Sequence, residues 1–147
     1  MVTNKGLMYI PFIIFVVLII WIVYSINQPP KWVGKSDDSM WETNFTSEMN
    51  SPKGYWSGKI YSNYDEDIHI LKASLIKNGT VIHNWEGDET IKKSRPFEYL
   101  TTTKTLNNKN DTYVLSLRWE DTNGTHEDTI TLSPKHRYFI LPNFLIK

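Results

Sequence analysis

The sequence predicts an all-β domain, an antiparallel β-sandwich of immunoglobulin-like arrangement as first choice and a small barrel as second, preceded by a single N-terminal transmembrane helix. Three observations lead there. Residues 7–26 read LMYIPFIIFVVLIIWIVYSI, with no charge and 18 of 20 positions apolar. Beyond them, short stretches alternate apolar with polar residues and are separated by turn residues. This later part is rich in Thr and Asn and holds a single alanine, which disfavours helix.

The remaining totals bound the function. Sixteen basic residues balance sixteen acidic ones across 147 positions, and there is no cysteine. A disulfide scaffold, a Cys-ligated zinc module and a strongly basic nucleic-acid binder are therefore excluded. Apolar residues fill about a third of the positions outside 7–26, enough for one modest core and too few for a multidomain enzyme.

Residues 1–6 form a short cytoplasmic head. Residues 7–26 follow as the span, because twenty helical residues rise about 30 Å, the thickness of a bilayer's hydrocarbon. Pro11 is expected in the first turn, where its missing N–H costs least. Tyr9 at one end, and Trp21, Tyr24 and Trp32 at the other, suit the two membrane interfaces. A cleaved signal peptide is the rival reading. Its apolar region is shorter, and Val23-Tyr24-Ser25 offers only one small residue for a cut. The reading adopted is an uncleaved signal-anchor. Flanking lysines (Lys5 against Lys31 and Lys35) do not decide orientation, but a six-residue head before a large C-terminal domain favours the domain outside the cytoplasm.

Residues 27–38 (NQPPKWVGKSDD) read as a linker, stiffened by Pro29-Pro30. Residues 39–147 form the extracytoplasmic domain. The clearest strand is 112–119, where Tyr113, Leu115, Leu117 and Trp119 share one parity. A loop over 121–124 brings back residues 125–132, setting Leu115 opposite Ile130, Tyr113 opposite Leu132 and Trp119 opposite His126. A second hairpin surrounds Asn78-Gly79. A three-residue loop, Lys77-Asn78-Gly79 with a bulge, pairs Leu75 with Val81, Ala73 with His83 and Leu71 with Trp85. This is the expected register, because the two-residue alternative matches the apolar face poorly. Further strands are expected at 40–46, 55–61 and 97–103, and a last edge strand from Arg137 that Pro142 interrupts.

Chemistry-bearing residues are scattered. His69, His83, His126 and His136 show no metal-ligand spacing, and no catalytic elbow surrounds a serine. Asp65-Glu66-Asp67 reads as a solvated turn and Lys92-Lys93-Ser94-Arg95 as a solvated basic loop. Of Trp41, Trp56, Trp85 and Trp119, the first two fit core positions. Trp85 and Trp119, near strand ends, are the candidate ligand-binding surface for sugar rings or peptides. The apolar segments 138–141 and 144–146 complete the sandwich or offer an edge to a partner's sheet.

Trp32-Val33-Gly34-Lys35-Ser36 just after the span, and Leu115-Ser116-Leu117-Arg118-Trp119 followed by Gly124, Glu127 and Ile130-Thr131-Leu132, carry a resemblance. The layout resembles the small membrane-anchored extracytoplasmic proteins of Bacillus-type, low-GC Gram-positive bacteria. That resemblance implies a cell-envelope location and supplies no active site. The resulting expectation is a non-enzymatic, single-pass cell-membrane protein that presents a binding or accessory module, without cofactor, catalytic residues or metal. Its partners would be membrane lipid through the helix and a protein or cell-wall ligand, and no nucleic acid. The alternatives are a carbohydrate or wall binder using Trp85 and Trp119, and a metal-dependent or hydrolytic enzyme. Oligomeric state is not encoded in any of these features.

Overall fold

A computed structural model describes residues 4–47, 54–93, 95–102 and 110–137. The chain divides into two compact units, one of Pro30–Lys135 and one of Met1–Pro29 with His136–Lys147.

In the second unit, helix α1 spans Asn4–Ile26. It begins before the uncharged run, so Pro11 lies in its interior and not in its first turn. There the ring removes the N–H that would bond the carbonyl four residues earlier. The stretch Tyr9–Ile26 is long and apolar enough to cross a membrane. Tyr9 and Tyr24 are exposed on it and Trp21 is half-buried.

The unit Pro30–Lys135 is built of eight strands: β1 Lys31–Lys35, β2 Trp41–Ser47, β3 Trp56–Ser62, β4 Ile68–Lys77, β5 Thr80–Ile91, β6 Phe97–Thr102, β7 Tyr113–Asp121 and β8 Gly124–Lys135. The first corrects the expected linker. Within 27–38, Trp32 and Gly34 point inward while Lys31, Val33 and Lys35 point out, so the segment is a strand of the domain. Trp32 is 1% exposed, its ring edge-on to Tyr113 at 4.6 Å. It is a core residue of the β-domain and not a membrane-interface anchor. The turn after β1 is made by polar side chains. The Ser36 hydroxyl accepts the Trp41 N–H at 2.9 Å, and the Asp38 carboxylate accepts the Met40 N–H at 2.9 Å. Ser39 takes φ 65° between them.

All strand pairs are antiparallel, in one sheet of order β5-β4-β7-β8-β1-β2-β3-β6. This revises the sandwich of two separate sheets to a barrel-like single sheet. The physical reason is β8, whose twelve residues serve both sides. Its part from Gly124 to Leu132 pairs β7, and Ser133, Pro134 and Lys135 pair β1. The sheet thus turns a corner without breaking, and its two end strands approach each other. There the His83 ring nitrogen Nε2 meets the Tyr99 carbonyl at 2.8 Å, and the Trp85 and Phe97 rings sit edge-on at 4.6 Å. Side chains make this seam.

One apolar cluster fills the interior. Trp41 packs between Trp119 at 5.1 Å and Tyr64 at 5.5 Å, and Phe45 lies against Trp56 at 5.2 Å. At Gly58, a Cβ would stand 2.6 Å from the Tyr99 ring, so only glycine leaves that ring its place.

The β7–β8 hairpin has the expected register, with Leu115 opposite Ile130, Tyr113 opposite Leu132 and Trp119 opposite His126. The β4–β5 hairpin does not. Its turn is the two-residue Asn78-Gly79, with φ 48° and 80°, between paired Lys77 and Thr80. Left-handed conformation at both turn residues gives the twist that a tight hairpin needs. Register then shifts twice, so that Leu75 faces His83, Ala73 faces Trp85 and Ile70 faces Glu89. The expected edge strand from Arg137 and the apolar segments 138–141 and 144–146 lie outside the described residues, apart from Arg137, which is not in a strand.

Candidate functional site

β1 carries the site because it sits between β8 and β2 with alternate side chains outward. Lys31, Val33 and Lys35 leave its outer face. By register they stand beside Lys135 and Ser133 of β8 and beside Asn44 and Glu42 of β2. Tyr61 follows on β3, opposite Glu42. Together these residues line a concavity of about 500 Å³. Its floor is Gly34, where a Cβ would fall 2.7 Å from the Ile130 side chain and 2.8 Å from the Thr131 carbonyl. The ladder between β1 and β8 ends at Val33 and Ser133, which opens the hollow above Gly34.

The charges lining it are three ammonium groups, Lys31, Lys35 and Lys135, and one carboxylate, Glu42. Lys35 and Glu42 pair at 3.1 Å, both about half exposed. Such a pair contributes about 0–1 kcal/mol and yields readily to a competing anion. Lys31 and Lys135 face each other directly across the ladder. The Asn44 amide donates to the Tyr61 hydroxyl at 3.1 Å, leaving the amide oxygen and the phenolic proton to address a ligand. The result is a net positive, hydrogen-bonding surface suited to an anion with several oxygens.

The residues singled out from sequence are distributed differently. Trp119, expected near a surface, is 5% exposed. It stacks on His126 at 5.6 Å and packs on Trp41, because its parity on β7 is that of Leu115 and Leu117. Trp85 is half-buried, its ring held against Phe97 and over Gly87. The two do not form one platform. His69 meets Asp88 at 2.9 Å, His126 meets Asp121 at 3.0 Å and His83 meets the Tyr99 carbonyl. Among the described residues, no group of three or more His, Cys, Asp or Glu gathers as metal ligands.

Two charge runs explain each other. Lys93 pairs with Asp65 at 2.5 Å and Lys92 with Asp67 at 3.6 Å, so the basic loop and the acidic turn clasp across the domain surface. The Lys93 hydrogen bond holds the Asp65 carboxyl below its ordinary range. A smaller hollow of about 360 Å³ lies at the seam, lined by Glu89, Arg95 and Phe97 among others.

Sequence reasoning missed the lysine-lined hollow because it assigned Lys31 and Lys35 to a linker. The signal was present: Trp32 and Gly34 alternate with Lys31, Val33 and Lys35, a period of two. Compared with protein-family models, curated proteins and solved structures, the chain matches none of them.

Proposed function

We propose that this chain is a single-pass membrane protein that holds a barrel-like β-module at the outer face of the cytoplasmic membrane. The module acts by binding, as an accessory to other envelope components, and not by catalysis. One observation carries the reading. A helix whose charge-free stretch Tyr9–Ile26 is long enough to cross a bilayer is followed, after four intervening residues, by β1, whose outward side chains line the hollow over Gly34. Lipid satisfies the exposed apolar side of α1, since a helix closes its own backbone hydrogen bonds in hydrocarbon. The domain interior is occupied by its own aromatic side chains, so contact with a partner falls to the outer face.

Support for binding over catalysis comes from how the polar groups of the hollow are arranged. Lys35 is matched by Glu42 and Asn44 by Tyr61. These are pairs that orient and recognise, whereas a nucleophile would need a base beside it. Protease treatment of intact spheroplasts tests the topology. The β-module should be degraded while a cytoplasmic marker survives; loss of the module only after lysis overturns the external placement.

A further inference from the structure

We infer that the tip of the β4–β5 hairpin is a second membrane contact, with Val81 and Ile82 entering the interfacial layer of the phospholipid bilayer that holds α1. The inference rests on the proposed anchoring and adds a contact that sets which end of the domain meets its membrane.

Exposure supplies the first reason. Among the described residues outside α1, Val81 and Ile82 are the large apolar side chains left exposed, at 56% and 40%. The register accounts for both. Val81 pairs with Ile76 and His83 with Leu75, so the bulge leaves Ile82 opposite no residue of β4. Ile76 also faces Val114 on β7, which puts a half-buried apolar row behind the tip. The polar groups of the tip supply the second reason. Residues 78–82 (NGTVI) carry no charge. The Asn78 N–H donates to the Thr112 carbonyl at 3.0 Å, its side-chain oxygen accepts the Thr112 N–H at 2.8 Å, and its amide donates to Asp111 at 3.0 Å. Lys77, just before the turn, pairs with Asp111 at 2.7 Å. Leaving water is costly for a polar group without a partner, and these have theirs within the fold. Bolted to the start of β7 in this way, the tip loses little freedom on contact.

Connectivity supplies the third reason and selects lipid as the occupant. Lys77 pairs with Tyr113 and Tyr113 with Leu132, while β8 runs on past Leu132 to meet Lys31 at Lys135. The turn after Lys77 and the start of β1 therefore leave the sheet at the same end, three strand spacings or about 15 Å apart. Five peptide steps, at most about 18 Å of chain, join Lys31 to Ile26 at the end of α1. With α1 in a bilayer, that end of the sheet is held near the headgroups. The β7–β8 turn lies at the other end, a strand length of about 30 Å away. Two apolar side chains bind a membrane only weakly by themselves. Tethering raises their effective concentration at the surface, so a weak contact is occupied on the chain's own membrane.

The test uses the cysteine-free chain at full length in phosphatidylcholine nanodiscs, with one fluorophore placed through a single introduced cysteine. Lipids brominated high on the acyl chain quench a fluorophore that sits at the interface. A Thr80→Cys label should be quenched at least about threefold more than an Asn123→Cys label on the β7–β8 turn, since interfacial side chains sit about 5–10 Å into the boundary of headgroup and acyl chain. In Val81→Ser/Ile82→Ser this excess should vanish, with circular dichroism reporting that the domain is folded. Equal quenching at positions 80 and 123 overturns the inference. An excess that survives the double substitution also overturns it, because the tether alone then explains it. Thr80→Cys chains that form disulfide-linked pairs in two-chain discs, with no quenching in one-chain discs, assign the patch to a second copy and overturn lipid as its occupant. A Val17→Cys label checks the anchoring apart from the hairpin. If it is quenched while the label at position 80 is not, α1 is in the bilayer and the hairpin contact fails; if neither is quenched, the anchoring fails as well.

Discussion

The two hairpins β7–β8 and β4–β5 are each closed by two residues between the last paired positions, yet one is regular and the other is bulged twice. Along β7–β8 the pairing runs without interruption from Asp121 and Gly124 to Tyr113 and Leu132. Along β4–β5 it breaks between Leu75 and Ile76 and again between Ile70 and Lys72. The second break is shared with the β4–β7 ladder. Their places in the sheet differ. β7 and β8 lie in the middle, covered on both edges, whereas β5 is an end strand that must bend towards β6. Each bulge adds local twist, and twist brings Trp85 and His83 to Phe97 and Tyr99. Regular pairing marks the centre of this fold, and irregular pairing marks where it closes.

The strongest way to break that comparison is to truncate the tryptophan of each hairpin. Trp119→Ala removes a buried indole from the central strand and should cost about 3–5 kcal/mol. Trp85→Ala removes a half-exposed ring whose chief contact is Phe97, and should cost about 0.5–1.5 kcal/mol. Denaturant titration of the two variants measures the gap. Equal losses would show the seam to be as essential as the centre.

Closure itself is probed at Gly58. An alanine there would drive its Cβ into the Tyr99 ring, whose backbone carbonyl receives His83 across the seam. The expected cost is about 1–3 kcal/mol, as for an overpacked core. Burial pushes the Tyr99 hydroxyl above the ordinary tyrosine range, which favours the neutral ring. A smaller hydrophobe at position 99 in the Gly58→Ala background should recover part of the loss. No recovery would place the strain elsewhere on β3.

These contrasts also show which parts of the molecule sequence could disclose. β7–β8 was legible because Tyr113, Leu115, Leu117 and Trp119 keep one parity over the whole strand. β4 was not, because its buried apolar residues are Ile68 and Ile70, then Ala73 and Leu75, with the parity changing at Leu71. A period-two pattern fitted to Leu71, Ala73 and Leu75 runs straight through the bulge. At the hollow over Gly34 the obstacle was different. Its cationic groups come from strands a hundred residues apart, and only the Lys31–Lys135 pairing unites them. The Pro-Pro pair before β1 suggested a tether, while the inward parity of Trp32 and Gly34 belongs to a strand.

The turns give a subtler contrast. At Gly79 φ is 80° with no atom within 4 Å of a built Cβ, so Gly79→Ala tests conformation alone. Left-handed backbone for alanine costs about 1 kcal/mol. A fall in the thermal midpoint of a few degrees is expected, and an unchanged midpoint would mean that the turn relaxes to another type.

The smallest expected effect is on pH dependence, and it separates the same two hairpins. Asp111 secures the β4–β5 turn: its carboxylate accepts the Asn78 amide at 3.0 Å and pairs with Lys77 at 2.7 Å. The Lys77 hydrogen bond first, then that of Asn78, hold its carboxyl below the usual aspartate range. In the unfolded chain the same group titrates near its ordinary value of about 3.9. Its contribution is therefore complete above that pH and is lost as pH falls through the lower folded value. At the β7–β8 turn Asp121 is also depressed, chiefly by the Asn123 N–H, with His126 secondary to it. An amide oxygen can still accept from that N–H but cannot pair with an ammonium. Asp111→Asn should accordingly flatten the acid limb of a stability–pH curve more than Asp121→Asn does. Denaturant midpoints at pH 6 and pH 3 for the two variants measure this, and the opposite ranking would assign the greater acid sensitivity to the central hairpin.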